Sequence, residues 1–346
     1  VKSPNRQGHA RRLGTPRHVV TIAVAIVCTL VAAVAAGWMT PAHADTSTTA
    51  GQSSGGATFV AMGDSYTAGT GTYDNTGHPG EDAAHRCDRS DLTYAGRYVN
   101  DAYHTLPSWL GPKPDWKLIA CDGATTDALN NPWNGDPPQL QSGALGPRTK
   151  LVTVTIGGND VKFADILNQC LNPYNGQDKC WASRLRTAND FIDRTVPGLL
   201  DQAYKGIEDH APNAHILVLT YPDGFPLSTA DAQGKSCSHS LGVNYTMSQA
   251  SLDGIHRTWH HLNAVIEQKA AEHGLAVLDE DARFGGHDFC QEPQAERFMN
   301  GLRQGGHDHD MLSLTNFDNE SFHPTTEGYR QMADDLEARV LNLWGK

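Results

Sequence analysis

The run Leu151-Val152-Thr153-Val154-Thr155-Ile156 constrains this chain most. It is β-branched almost throughout and stops abruptly at Gly157-Gly158-Asn159-Asp160, so it reads as a short strand feeding a tight, polar turn. Four more stretches behave alike. Phe59 to Met62 ends at Gly63, Trp116 to Ala120 runs into Cys121-Asp122-Gly123, His215 to Thr220 follows a helical segment, and Leu275 to Leu278 follows Gly274. Between them the apolar residues recur at helical spacing: Leu92 to Ala102, Asn189 to His210 (kinked or split at Pro197), Tyr245 to Glu272, and Thr326 to Trp344. Strands alternating with helices imply a parallel sheet covered on both sides. The expected fold is a three-layer α/β/α sandwich of five parallel strands in the flavodoxin-like order 2-1-3-4-5. Its crevice should open where the first and third strands end.

Ser65 lies on one of those strand ends and Asn159 on the other. Gly63 permits the tight backbone that presents the Ser65 hydroxyl after the first strand. An isolated Asp64-Ser65 pair more often caps a helix. A serine hydroxyl needs a base within hydrogen-bond reach to act as a nucleophile at neutral pH. Among 17 histidines, His323 stands out. Pro324 follows it, and Thr325-Thr326-Glu327-Gly328 open the last helix, so the imidazole sits in a rigid loop beside a capping sequence. Acyl transfer also needs fixed donors for the oxyanion. The backbone N–H groups of Ser65 and Gly123 and the side-chain amide of Asn159 each lie just past a strand end. Taken singly, Gly123 reads as a turn residue and Asn159 as a cap.

Together, Gly63-Asp64-Ser65-Tyr66, Gly123 within Cys121 to Thr126, Gly157-Gly158-Asn159-Asp160 and His323-Pro324 resemble the four ordered blocks of the SGNH hydrolases, also called GDSL esterases and lipases. The nearest likeness is to secreted actinobacterial members. The resemblance implies Ser65 as nucleophile, His323 as base and Ser65, Gly123 and Asn159 as oxyanion donors, with three sequential disulfides. Where the family commonly has Asp, three residues before the histidine, this chain has Glu320, with Asp318 two residues earlier. Some relatives use a main-chain carbonyl there, so residue 320 is expected to orient His323 by its carboxylate or its carbonyl.

The first 44 residues read as an export signal: five basic residues, an apolar run from about Val19 to Met39, and Ala42-His43-Ala44 at the cleavage position. Residues 45 to 56 are small and polar and read as a flexible leader, with the hydrolase domain at 57 to 346. Removal of the signal leaves 22 Lys plus Arg against 39 Asp plus Glu and moves the formal charge from -12 to about -17. That surface repels nucleic acid and anionic lipid. The protein is expected to be secreted, monomeric and, once cleaved, without stable membrane insertion. Six cysteines remain, Cys87, Cys121, Cys170, Cys180, Cys237 and Cys290, and they allow 15 pairings. Sequential pairing is the simplest, each bridge closing a local excursion.

The expected activity is hydrolysis of carboxylic esters of small molecules or lipids. Carbohydrate O-deacetylation and phospholipid hydrolysis are alternatives that the same blocks serve, and a non-catalytic cell-wall binder is a rival of another class. The chemistry needs no metal or organic cofactor. His307-Asp308-His309-Asp310 reads as a solvated loop. His256 and His260 form an i, i+4 pair beside His261, but without the Glu of the zinc-protease pattern all three read as surface residues.

Overall fold

Five short strands, β1 (Phe59–Gly63), β2 (Trp116–Leu118), β3 (Leu151–Thr155), β4 (His215–Leu219) and β5 (Ala276–Leu278), make one sheet in a computed structural model of the chain. Their order is β2-β1-β3-β4-β5 and every pairing is parallel. This is the expected order. The structure describes residues 55–72, 87–171, 177–230, 247–291, 293–301 and 320–345. The expected signal and positions 45–54 of the leader lie outside them. Gly55 and Gly56 contact the folded part: the Arg148 N–H donates to the Gly55 carbonyl at 2.8 Å and Gly56 is buried.

β1 and β3 are buried at every position, and their register sets Phe59 against Leu151 and Gly63 against Thr155. Both strands therefore end at the same level, where their loops can meet. Seven α-helices lie among the described residues: α1 (Ser65–Ala68), α2 (Tyr94–Asn100), α3 (Phe163–Leu171), α4 (Gln177–Arg194), α5 (Val196–His210), α6 (Gln249–Glu272) and α7 (Thr326–Trp344). α2 packs with α7, whereas α4 packs with α3, α5 and α6. The chain moves outward from β1 in opposite directions to reach β2 and β4, so crossovers of one hand put helices on both faces.

The segment at Pro197 resolves into two helices. α4 ends at Arg194, and Pro197 sits in the first turn of α5, where its missing N–H has no helical partner to lose. α6 starts at Gln249, capped by the Ser248 hydroxyl, which accepts the Ser251 N–H at 3.1 Å. α7 starts in the same way, its cap Thr325 accepting the Gly328 N–H at 3.1 Å.

Candidate active site

The turn from β1 into α1 is fixed on every side. Gly63 has φ +115°, and a Cβ there would stand 1.9 Å from the Thr155 carbonyl oxygen, so only glycine fits. The Gln139 side chain clamps it, Oε1 accepting the Gly63 N–H at 2.8 Å and Nε2 donating to the Gly63 carbonyl at 2.7 Å. Asp64 is the helix cap and accepts the Tyr66 N–H at 3.1 Å. Its carboxylate also accepts the Thr155 hydroxyl at 2.7 Å and the Tyr221 hydroxyl. Burial pushes the Asp64 carboxyl up to about 7, against the pull of these donors. Burial also raises the Tyr221 phenol, which stays protonated and donates. The capping role thus belongs to Asp64, and Ser65 is left at the first helical position, where the N–H has no intrahelical acceptor.

The Ser65 hydroxyl lies 2.7 Å from Nε2 of His323, 258 residues away in sequence. Local ties bring the imidazole there. The Tyr66 hydroxyl donates to the Phe322 carbonyl at 2.7 Å, and Phe322 adopts φ +61°, a costly conformation for a bulky residue. Asn300 holds the other side: its backbone N–H donates to the His323 carbonyl at 2.9 Å and its side-chain amide to the Gly71 carbonyl at 3.1 Å. The Tyr329 hydroxyl, from α7, donates to the Thr70 carbonyl at 3.0 Å.

Nδ1 of His323 lies 3.2 Å from the Ser321 carbonyl oxygen. With that oxygen as acceptor, Nδ1 carries the hydrogen and Nε2 presents a lone pair to Ser65. That contact lies one residue beyond the position expected to orient the ring. The Glu320 carbonyl instead accepts the His323 backbone N–H at 3.2 Å. Glu320→Gln is therefore expected to lower kcat/KM less than about tenfold, because a main-chain acceptor survives the change. A loss nearing the ~10⁴-fold that follows removal of a triad carboxylate would assign the role to the Glu320 side chain.

The two other oxyanion candidates are tied to each other. Asn159 Nδ2 donates to the Ala124 carbonyl at 3.0 Å. Its neighbour Asp160 accepts both the N–H and the hydroxyl of Thr126, at 2.9 and 2.7 Å. The loops after β2 and β3 thus move as one piece. Gly123 has φ +68°, and Trp133 braces its turn by donating Nε1–H to the Asp122 carbonyl at 3.0 Å. The Cys87–Cys121 disulfide anchors the same turn.

Ser65, Asn159 and His323 line one cleft of about 620 Å³, part of it open to solvent. Its floor and walls are apolar, with Val161, Phe163 and Leu167 from α3 and its approach, and Trp259 and Leu262 from α6. From the sequence, the loops 69–91, 130–148 and 223–243 are expected to line the cleft, while Trp133, Tyr174, Trp181 and Phe225, taken singly, read as core or bridge packing before acyl wall. Tyr174 lies outside the described residues. Trp133 braces Gly123, Trp181 lines a separate cavity between α4 and α6, and Phe225 stacks on Phe322 with centroids 5.4 Å apart. Helices line the cleft because α3 and α6 cover the carboxyl ends of β3 and β4.

A second disulfide, Cys170–Cys180, joins α3 to α4. The expected Cys237–Cys290 pair involves Cys237, which lies outside the described residues. So do Asp318 and the His307 to Asp310 run. Among the described residues, no helix is long and apolar enough to cross a membrane.

Residues 61–331 match the GDSL-like Lipase/Acylhydrolase family. Lipase 1 of Streptomyces coelicolor is 34% identical over 270 residues, covering 78% of this chain and 81% of that lipase. A lipase of Streptomyces rimosus is 34% identical over 234 residues, covering 67% and 73%. Among solved structures, phospholipase A1 from Streptomyces albidoflavus and the extracellular lipase from Streptomyces rimosus superpose with a TM-score of 0.59 at 28% and 27% identity. Each match covers 81% of this chain and 98% of the other. The chain belongs to the GDSL-like lipase and acylhydrolase family and is a carboxylic ester hydrolase.

Proposed function

We propose that the protein is a secreted serine esterase or lipase that works through an acyl-enzyme on Ser65. The observation that carries this reading is the 2.7 Å contact between the Ser65 hydroxyl and Nε2 of His323 at the mouth of an apolar cleft. His323 takes the hydroxyl proton as Ser65 Oγ bonds to the ester carbonyl carbon. The carbonyl oxygen becomes an oxyanion held by the N–H groups of Ser65 and Gly123 and by Asn159 Nδ2. The C–O bond to the alcohol then breaks, and the imidazolium returns its proton to the leaving oxygen. Water, deprotonated by His323, repeats the addition on the acyl-enzyme, and the acid leaves with Ser65 Oγ reprotonated.

The basic, apolar and Ala-x-Ala regions of residues 1–44 support export, with residues 57–346 as one hydrolase domain acting as a monomer. The apolar lining favours a longer acyl chain over a carbohydrate acetate. A series of p-nitrophenyl esters is expected to show kcat/KM rising by roughly 10-fold or more from acetate to octanoate, at about 0.8 kcal/mol per buried methylene until the cleft is full. Acetylated xylan and phosphatidylcholine run alongside. A series that peaks at acetate, with acetylated xylan cleaved fastest, would replace the lipase reading by that of a deacetylase.

A further inference from the structure

Outside the cleft, His256 and His260 stand one turn apart on α6 with their rings stacked, centroids 6.1 Å apart and planes 18° from parallel. They are not the surface pair expected from the sequence: the His256 side chain is only 12% exposed. Both face Asp223, which is buried in the segment leaving β4. Oδ1 of Asp223 accepts the Phe225 N–H at 3.0 Å, and its Oδ2 faces the two imidazoles.

The outer nitrogens of the two rings already have acceptors. Nε2 of His256 lies 3.1 Å from the Pro226 carbonyl oxygen, and Nδ1 of His260 lies 2.5 Å from Oδ2 of Asp281. Asp281 is itself held, its Oδ1 accepting the Asn263 side-chain amide at 2.8 Å. A carbonyl or carboxylate oxygen only accepts, so these two nitrogens carry the ring hydrogens. With both rings neutral, Nδ1 of His256 and Nε2 of His260 are the nitrogens left to bind an ion, whereas without one the Asp223 carboxylate is met only by a hydrogen on Nδ1 of His256. Both converge on Oδ2 of Asp223, the first in direct contact and the second at 3.6 Å, and the three atoms lie within 4.8 Å of one another.

Three acceptors facing inward need positive charge between them. One proton shared by Asp223 and His256 serves that pair and leaves His260 Nε2 unserved. A divalent cation serves all three. We propose that Asp223 Oδ2, His256 Nδ1 and His260 Nε2 bind one transition-metal ion of the zinc class, with water completing the shell on the side where His260 is half-exposed. Two imidazoles and a carboxylate suit zinc, cobalt, nickel or copper rather than calcium or magnesium. Ligand bonds near 2.0–2.1 Å put tetrahedral donors about 3.3 Å apart, so His256 backs away slightly from Asp223 and His260 draws in. Asp281 and the Pro226 carbonyl are the outer partners that fix ring tautomer and orientation.

The ion ties the segment after β4 to α6. Phe225, two residues beyond Asp223, packs on Trp259 of the cleft wall and on Phe322 beside the catalytic histidine, with centroids 5.8 and 5.4 Å away. Occupancy thus stiffens the back of the cleft without entering the reaction.

The test uses the full mature chain without a polyhistidine tag, freed of metal by chelator dialysis and titrated with zinc chloride by calorimetry at neutral pH. One equivalent is expected to bind the wild type. His260→Ala is expected to bind at least about tenfold more weakly, and Asp281→Asn about tenfold more weakly as the loss of an outer partner. Metal-free His260→Ala should keep the wild-type near-ultraviolet circular dichroism and p-nitrophenyl ester rate, since its side chain is half-exposed. Cobalt should give the visible bands of a four-coordinate site in the wild type and lose them in His260→Ala. Absence of stoichiometric zinc in the wild type would overturn the proposal. So would equal affinity in all three proteins, and the cluster would then be an ion pair around a shared proton.

Discussion

Ser65→Ala is expected to lower kcat/KM for p-nitrophenyl esters by about 10⁴-fold or more. On the proposed mechanism the change removes the atom that forms the acyl bond, and the remaining groups can only assist water. Folding should barely change. The hydroxyl's partner, His323, is independently held through Phe322, Asn300 and Ser321, so the loss should stay near ~1 kcal/mol. Activity and thermal unfolding measured on the same preparation check both halves. An unaltered rate in a folded Ser65→Ala protein would remove the serine mechanism, whatever its effect on stability.

Asn159→Ala is expected to cost 10²- to 10³-fold in kcat, about 3 to 4 kcal/mol, with KM almost unchanged. Nδ2 carries two hydrogens, and one goes to the Ala124 carbonyl at 3.0 Å. The other remains for the cleft, which Asn159 lines. An oxyanion donor acts only once charge develops, so its removal should appear in kcat rather than in substrate binding. The two Asp160–Thr126 bonds keep the neighbouring loops together in the variant. A raised KM with kcat intact would instead mean that Asn159 only positions the ground state.

The strand ends were legible because β-branched runs and glycines are residue-type signals. Gly63, Gly123 and Gly157 all adopt positive φ at the turns expected of them. The amino-acid pattern also brought out Ser65 and His323, which the fold places 2.7 Å apart. What stayed hidden has no such signature. The Ser321 carbonyl that contacts His323 is an acceptor any residue could supply, so nothing in the residue types singles it out over residue 320. Asp223 and Asp281 meet His256 and His260 only through the layout of β4, β5 and α6. α3 is a different case: Phe163, Ile166, Leu167 and Cys170 carry a clear helical period, which the polar turn before them overshadowed. Missing that helix left the expected lining of the cleft to loops.

The imidazole and the serine meet where α7 is seated, since α7 reaches the first turn of the fold through Tyr329 and the loop just ahead of it carries His323. A chain in which α7 has not docked is therefore expected to hold the Ser65 hydroxyl without its imidazole partner, whatever the state of the sheet.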